Sequence, residues 1–257
     1  MKLGLVTYNM AKDWDVPTII KNCTETGFQG VELRTTHAHQ VEVDLSATER
    51  ADVAKIFADS PIELAGLGSA FDYHSADSDV VRQNIEGTKE YTKLAADVGA
   101  SGVKVRPNGF PNEVPKEKTL EQIGLSLREC GQFASDYDVQ IRLEVHGRGT
   151  SELRHIQTII DIADHDNVFV CWNSNFGEVE DGSIQKPFEL VKHKIGLVHI
   201  TELHRVEYPW LELFTLLKSS GYEGFTLAEI PGCDSLSDSV RVMNFYRALW
   251  SELNRTD

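Results

Sequence analysis

Long apolar runs are missing from this chain of 257 residues, and no stretch approaches the roughly 20 residues a membrane span needs. Met1 and Lys2 pass straight into the strand-like LGLVTY without a small-residue cleavage site, so a secretory leader is not expected. Cysteine is scarce and scattered. Cys23, Cys130, Cys171 and Cys233 form no CxxC pair, which argues against a zinc ribbon or a disulfide framework and points to reduced thiols in a cytoplasmic protein. Basic residues are few as well, 25 against 40 acidic ones, for a net charge of −15. Such a surface repels nucleic acid and anionic lipid. The small basic clusters at Arg106 and at His204 and Arg205 are too short to track a duplex, so neither nucleic acid nor a membrane is expected as a partner. No proline-rich hinge or low-complexity linker divides residues 1–257, which read as one domain.

What the chain does have is a recurring phrase. TGFQGVEL (Thr26–Leu33), VGASGVKV (Val98–Val105) and SGYEGFTL (Ser220–Leu227) all read as glycine, two residues, glycine, then strand. The first glycine suits a left-handed helix cap, and the second suits a turn into a strand. Reading outward from these junctions predicts eight strands: Lys2–Tyr8, Gly30–Arg34, Ile62–Ser69, Gly102–Pro107, Val139–Gly147, Val168–Asn173, Ile195–Ile200 and Gly224–Ile230. Helical patterns fill the gaps. Asp79–Val98 and Thr119–Tyr137 are the longest, and Ser46 with Glu49 forms a capping box for the second helix. A last helix spans Ser235–Asn254, with Val240, Met243, Phe245, Ala248, Leu249 and Leu253 as its expected apolar face. Eight alternating units in about 250 residues predict an α/β fold, a single (β/α)8 TIM barrel. The rival is an open doubly wound sheet, which wants a glycine-rich loop after its first strand; here that loop reads YNMAKDWD.

Chemistry in such a barrel sits at the C-terminal ends of the strands. Six of the nine histidines fall there or just beyond: His37, His39, His74, His146, His199 and His204. Singly, a loop histidine is most simply a solvated polar residue. Glu144, His199 and Glu229 are harder to dismiss, because a carboxylate inside a barrel strand is costly unless paired or metal-bound. Glu144 and His146, two apart on the expected fifth strand, should face the same way. Arg34, Arg106, Arg148 and Arg205 are available to bind a phosphate or carboxylate or to pair with nearby acids.

With RLEVHG at the fifth strand, VCWNSN at the sixth, VHITELHR at the seventh and LAEI at the eighth, the chain resembles the xylose isomerase-like TIM barrels, the sugar phosphate isomerase/epimerase family. More narrowly, it resembles a divergent subgroup marked by WNSN at the sixth strand. Ketose epimerases of that family hold a divalent metal by Glu, Asp, His and Glu from these four strands. The resemblance therefore implies Glu144, His199 and Glu229 as ligands, with Arg205 near the substrate. It departs at the sixth strand, where Asn173 and Phe176 replace the family's Asp and its substrate-touching His, and at Thr150, where an acidic residue is usual. Asn173 is then a fourth, weaker ligand, or a water or His146 takes its place.

The implied function is a cytoplasmic isomerase or epimerase acting on a keto sugar or sugar derivative, dependent on Mn, Mg, Co or Zn. A proton leaves the carbon beside a polarised carbonyl to give a metal-bound enediolate. Glu144, Glu229 and His146 are the catalytic candidates, and Arg205, Trp172, Arg106 and His74 the substrate-binding ones. EVHGRGTS also resembles the motif of dehydratases in this family, where the histidine protonates a departing hydroxyl; a keto-sugar dehydratase or lyase is thus an alternative. A non-catalytic sugar-binding barrel is a second. The family's DNA-repair endonuclease branch wants a basic groove, which the charge of −15 opposes. Tyr208, Trp210, Phe214 and Trp250 are core aromatics or, failing that, the face of a homodimer.

Overall fold

The computed structural model describes residues 1–255; Thr256 and Asp257, the last two of the expected 1–257 domain, lie outside the described residues. The elements alternate as β1 (Lys2–Val6), α1 (Val16–Thr26), β2 (Gly30–Arg34), α2 (Ala47–Ala58), β3 (Glu63–Asp72), α3 (Ser78–Val98), β4 (Gly102–Arg106) and α4 (Lys116–Ser135). They continue as β5 (Gln140–Glu144), α5 (Leu153–Ala163), β6 (Val168–Asn173), α6 (Gln185–Val191), β7 (Ile195–Ile200), α7 (Trp210–Ser219), β8 (Phe225–Ala228) and α8 (Leu236–Leu253). The strands pair in chain order, all parallel, and β8 closes onto β1. Helices cross over outside, and most of the apolar core lies between them and the strands. Among the described residues no helix is long and apolar enough to cross a membrane.

The first glycine of each repeated phrase does what the sequence predicts. Gly27, Gly99 and Gly221 sit at φ of 75°, 80° and 77°, the left-handed region. Their second glycines serve another purpose. Gly30 and Gly102 are the first residues of β2 and β4, and they leave room inside the barrel. A Cβ on Gly30 would meet the Phe225 ring at 2.5 Å, and one on Gly102 would meet the Arg142 guanidinium at 2.6 Å. The expected capping box is present, with Ser46 Oγ accepting from the Glu49 amide and Glu49 Oε2 from the Ser46 amide.

Two expectations need correction, and a third holds. Strand β5 stops at Glu144, so His146 belongs to the following loop rather than to the strand. The buried face of α8 is built on Ser239, Met243 and Tyr246, while Phe245 is 68% and Leu249 45% exposed. The helix is turned because its inward line follows 239, 243 and 246, spacings of four and three residues. Tyr208, Trp210 and Phe214 are core: Tyr208 and Trp210 pack ring on ring, and Phe214 meets the half-buried Trp250 edge to face.

The barrel interior is divided. Val6, Ala65, Cys171, Leu197 and Leu227 form a small apolar cluster of their own. Arg142 is 4% exposed and donates to Ala65 O, Ser101 Oγ and Gln140 Oε1 at 2.6, 2.9 and 2.9 Å, so each of its three nitrogens has a partner. Interior clearance yields a direct test. A Cβ on Gly4 would lie 2.7 Å from the Gly30 carbonyl oxygen and against Leu227, whereas one on Gly177 would meet nothing within 4 Å. Gly4→Ala should lower stability in urea by about 1–3 kcal/mol. Gly177→Ala should stay within about 0.5 kcal/mol of the wild type; equal midpoints for the two variants would contradict the packing described.

Candidate metal centre and the barrel mouth

The strand ends bring together Glu144 at the tip of β5, His199 near the end of β7 and Glu229 just past β8. One ligand atom from each lies within 4.8 Å of the others. His199 Nδ1 is 3.6 Å from Glu144 Oε1 and 3.7 Å from Glu229 Oε2. These separations exceed a hydrogen bond, and His199 Nδ1 is buried without a hydrogen-bond partner. A buried nitrogen left unpaired between two carboxylate oxygens suits a divalent cation, and two carboxylates with one imidazole are the donor set that Zn²⁺ and Mn²⁺ accept. The residues therefore fit such an ion.

The two carboxylates differ. Glu144 is 4% exposed and takes Lys104 Nζ on Oε2 at 2.8 Å and Asn173 Nδ2 on Oε1 at 3.0 Å. Burial pushes its pKa up, but Lys104 and His199 outweigh burial and hold the carboxyl well below the usual range. Glu229 is 20% exposed at its side chain and makes no side-chain hydrogen bond among the described residues. Burial raises its pKa, only partly offset by His199. One acid is thus anchored and ionised, and the other is left free to exchange a proton. Burial also pushes His199 down, yet the acidic groups around it, Cys171, Glu32 and Glu144, hold it well above its ordinary value.

Asn173, expected as a fourth ligand, turns its amide nitrogen to Glu144 and so steadies that carboxylate. Beyond β5, His146 keeps Nδ1 buried and unpartnered. Burial lowers its pKa, against the pull of Glu144, so the ring is neutral near pH 7. Thr150 donates to the His146 carbonyl at 2.9 Å and ties that loop down. Arg106 donates Nη2 to Ala70 O, while its Nε is buried and unpaired. His74 sits off the axis, its Nδ1 3.1 Å from Asp72 Oδ1, at the wall of a cleft of about 810 Å³ that Arg148 and Lys116 also line.

Trp172 does not reach the mouth. It neighbours Asn173 on β6 and so points to the opposite face, where it is fully buried against Phe188 and donates Nε1 to the Tyr208 hydroxyl. Fully buried on that outer face, Trp172 is a packing residue and not the expected substrate contact. Its work is indirect, because Tyr208 in turn meets the Phe176 ring edge to face. The Arg205 guanidinium lies 4.1 Å over Phe176, a cation–π contact. Phe176, which stands where the family has a histidine, is the platform on which Arg205 rests.

Residues 20–248 match the family described as xylose isomerase-like TIM barrel. The chain belongs to that family. Among curated relatives of this xylose isomerase-like barrel, the L-ribulose 3-epimerase of Mesorhizobium japonicum is 26% identical over 249 residues, covering 91% of this chain and 82% of the relative. Solved structures with the same fold include the D-psicose 3-epimerase of Clostridium cellulolyticum H10 with D-tagatose, at a TM-score of 0.78 and 18% identity, covering 99% of this chain and 98% of that one. Another is the IOLI protein with a binding zinc atom, at a TM-score of 0.81 and 18% identity, with the same coverage.

The sequence singled out neither Glu32 nor Glu178. Glu32 was legible as an acid alternating with Val31 and Leu33, which puts it inside the barrel. Glu178 gave no such signal. It lies in the loop after β6, 6% exposed, and accepts from the Tyr208 hydroxyl at 2.9 Å. Burial pushes its pKa up to about 8, against the opposing pull of hydrogen bonds to its own backbone and Tyr208. Unfolded, a glutamate releases its proton near pH 4.3. Between that pH and 8 the folded chain keeps a proton the unfolded chain has lost, so stability falls as pH rises through this window. Thermal midpoints from pH 5 to 9 should show Glu178→Gln gaining steadily on the wild type, by a few kcal/mol at most. A gap independent of pH would show that the carboxyl is ionised throughout.

Proposed function

We propose that this chain is a divalent-metal-dependent isomerase or epimerase of a keto sugar or sugar derivative. The observation that carries the reading is the unpartnered Nδ1 of His199, facing Glu144 Oε1 at 3.6 Å and Glu229 Oε2 at 3.7 Å. The relatives that are sugar 3-epimerases, and the fold shared with a zinc-binding protein, support it. A divalent ion held by these three residues would supply Lewis-acid polarisation of the substrate carbonyl.

The chain's own groups divide the remaining work. Glu229, unencumbered and with a raised pKa, takes the proton from the carbon beside the carbonyl and can return it. Glu144 stays ionised, locked by Lys104 and Asn173, and its fixed negative charge holds the centre together. Inverting that centre needs a second group to deliver a proton to the opposite face, and Glu144 and His146 are the groups at hand; a proton returned by Glu229 to the neighbouring carbon isomerises the sugar. Arg205, steadied by Phe176, offers its guanidinium to substrate oxygens. His146 carries the lyase alternative, because a neutral ring with a buried, unpaired Nδ1 is placed to serve as a second proton carrier for a departing hydroxyl.

Metal analysis and proton exchange test this together. After loading with Mn²⁺, the wild type should hold about one ion per chain, and His199→Ala should bind it more than about 100-fold more weakly. In heavy water the loaded wild type should place deuterium beside the carbonyl of at least one ketose in a panel. A protein that takes up no ion and exchanges no proton would leave the sugar-binding barrel as the better account.

A further inference from the structure

Glu32, on β2, is 1% exposed, and neither of its carboxylate oxygens accepts a hydrogen bond. A buried carboxylate in that condition is costly and calls for an explanation. The barrel makes space for it. The adjacent strand β3 carries glycine at both facing positions: a Cβ on Gly68 would lie 2.8 Å from Glu32 Oε1, and one on Gly66 would lie 3.6 Å from Oε2. Lys104, the nearest ammonium to contribute charge, spends its hydrogen bond on Glu144. The one ring nitrogen in reach is His199 Nε2, 3.3 Å from Glu32 Oε1, with both side chains almost completely buried.

We propose that Glu32 is a positioning residue that keeps the proton of His199 on Nε2 and so makes Nδ1 the ligating atom. A neutral imidazole has one donor nitrogen and one acceptor. A carboxylate facing Nε2 favours the proton there, which leaves the lone pair on Nδ1, the nitrogen that faces Glu144 and Glu229. Carboxylate groups behind a ligating histidine fix its ring and raise its basicity in this way. Glu32 touches neither the substrate nor the ion; it acts through His199. The proposal rests on the metal reading of the same centre only for its effect on affinity, since the position of the proton is a property of the protein alone.

Two measurements separate the two ideas. The first is the long-range proton–nitrogen spectrum of histidine-labelled protein, Zn²⁺-loaded and also metal-free at a pH high enough to give the neutral ring, since the acids around His199 favour its doubly protonated form at lower pH. The wild type should show His199 with a slowly exchanging, downfield Nε2 proton in both forms, and Glu32→Gln should move that proton upfield. The second is Mn²⁺ affinity followed by paramagnetic resonance, where Glu32→Gln should bind about 10–100-fold more weakly than the wild type. If the wild type carries its His199 proton on Nδ1 with Nε2 bare, the proposal is overturned, and this holds even if the variant does not fold. Unchanged Mn²⁺ affinity in a folded Glu32→Gln would overturn it too, while leaving the metal centre intact. A wild type that binds no ion yet shows the downfield Nε2 proton would sink the metal reading and keep the role of Glu32.

Discussion

The structure depends on balanced charge in a place that excludes water. Glu32, Lys104, Arg142, Glu144 and His199 are each 5% exposed or less, and they face one another inside a closed ring of eight strands. Isolated, any of these charges would carry a heavy desolvation penalty, and together they hold one another in place. Lys104 shows the principle. Burial disfavours its ammonium, yet Glu144 and Glu32 outweigh burial and keep it charged. Removing one member would leave its partner buried and uncompensated, which costs more than the pair itself contributes.

From that constraint follows the layout of the barrel. The large charged side chains of β2, β4, β5 and β7 need room, and glycines at 30, 66, 68 and 102 give it to them or to their neighbours. The deeper Arg142 is hydrogen-bonded through each of its three nitrogens and fills the interior. Above it Glu144 is anchored twice, and towards the mouth unpaired groups collect: His199 Nδ1, Glu229, His146 Nδ1 and Arg106 Nε. Unsatisfied polar atoms are rare in folded interiors, and their concentration at one end of the barrel marks where a ligand belongs.

Strand order, barrel closure and the convergence of Glu144, His199 and Glu229 were legible because they are written locally. Glycine phrases mark each junction, and the acids and the imidazole stand at strand ends. What failed were inferences about direction. Trp172 was assigned to the mouth by proximity to Asn173, although neighbours on a strand face opposite ways. His146 was carried on a strand that ends two residues earlier. The face of α8 was misread because Phe245 and Leu249 are apolar yet exposed, while Ser239 and Tyr246 are polar yet buried. The role of Lys104 was not legible, since its partner lies 40 residues away and only the register of β4 on β5 brings them together. The loop after β6 stayed opaque for the same reason. Its contacts run from Trp172 through Tyr208 to Glu178 and Phe176, and no short window of sequence contains them.

The central claim is that Glu144, His199 Nδ1 and Glu229 bind one divalent cation. The most direct measurement is an anomalous difference map from a crystal of this protein equilibrated with Mn²⁺. The account predicts a single strong peak at the barrel mouth, roughly 2.0–2.2 Å from an oxygen of Glu144, from an oxygen of Glu229 and from Nδ1 of His199. A map with no peak there, and with Lys104 and Asn173 still closed over Glu144, would contradict it.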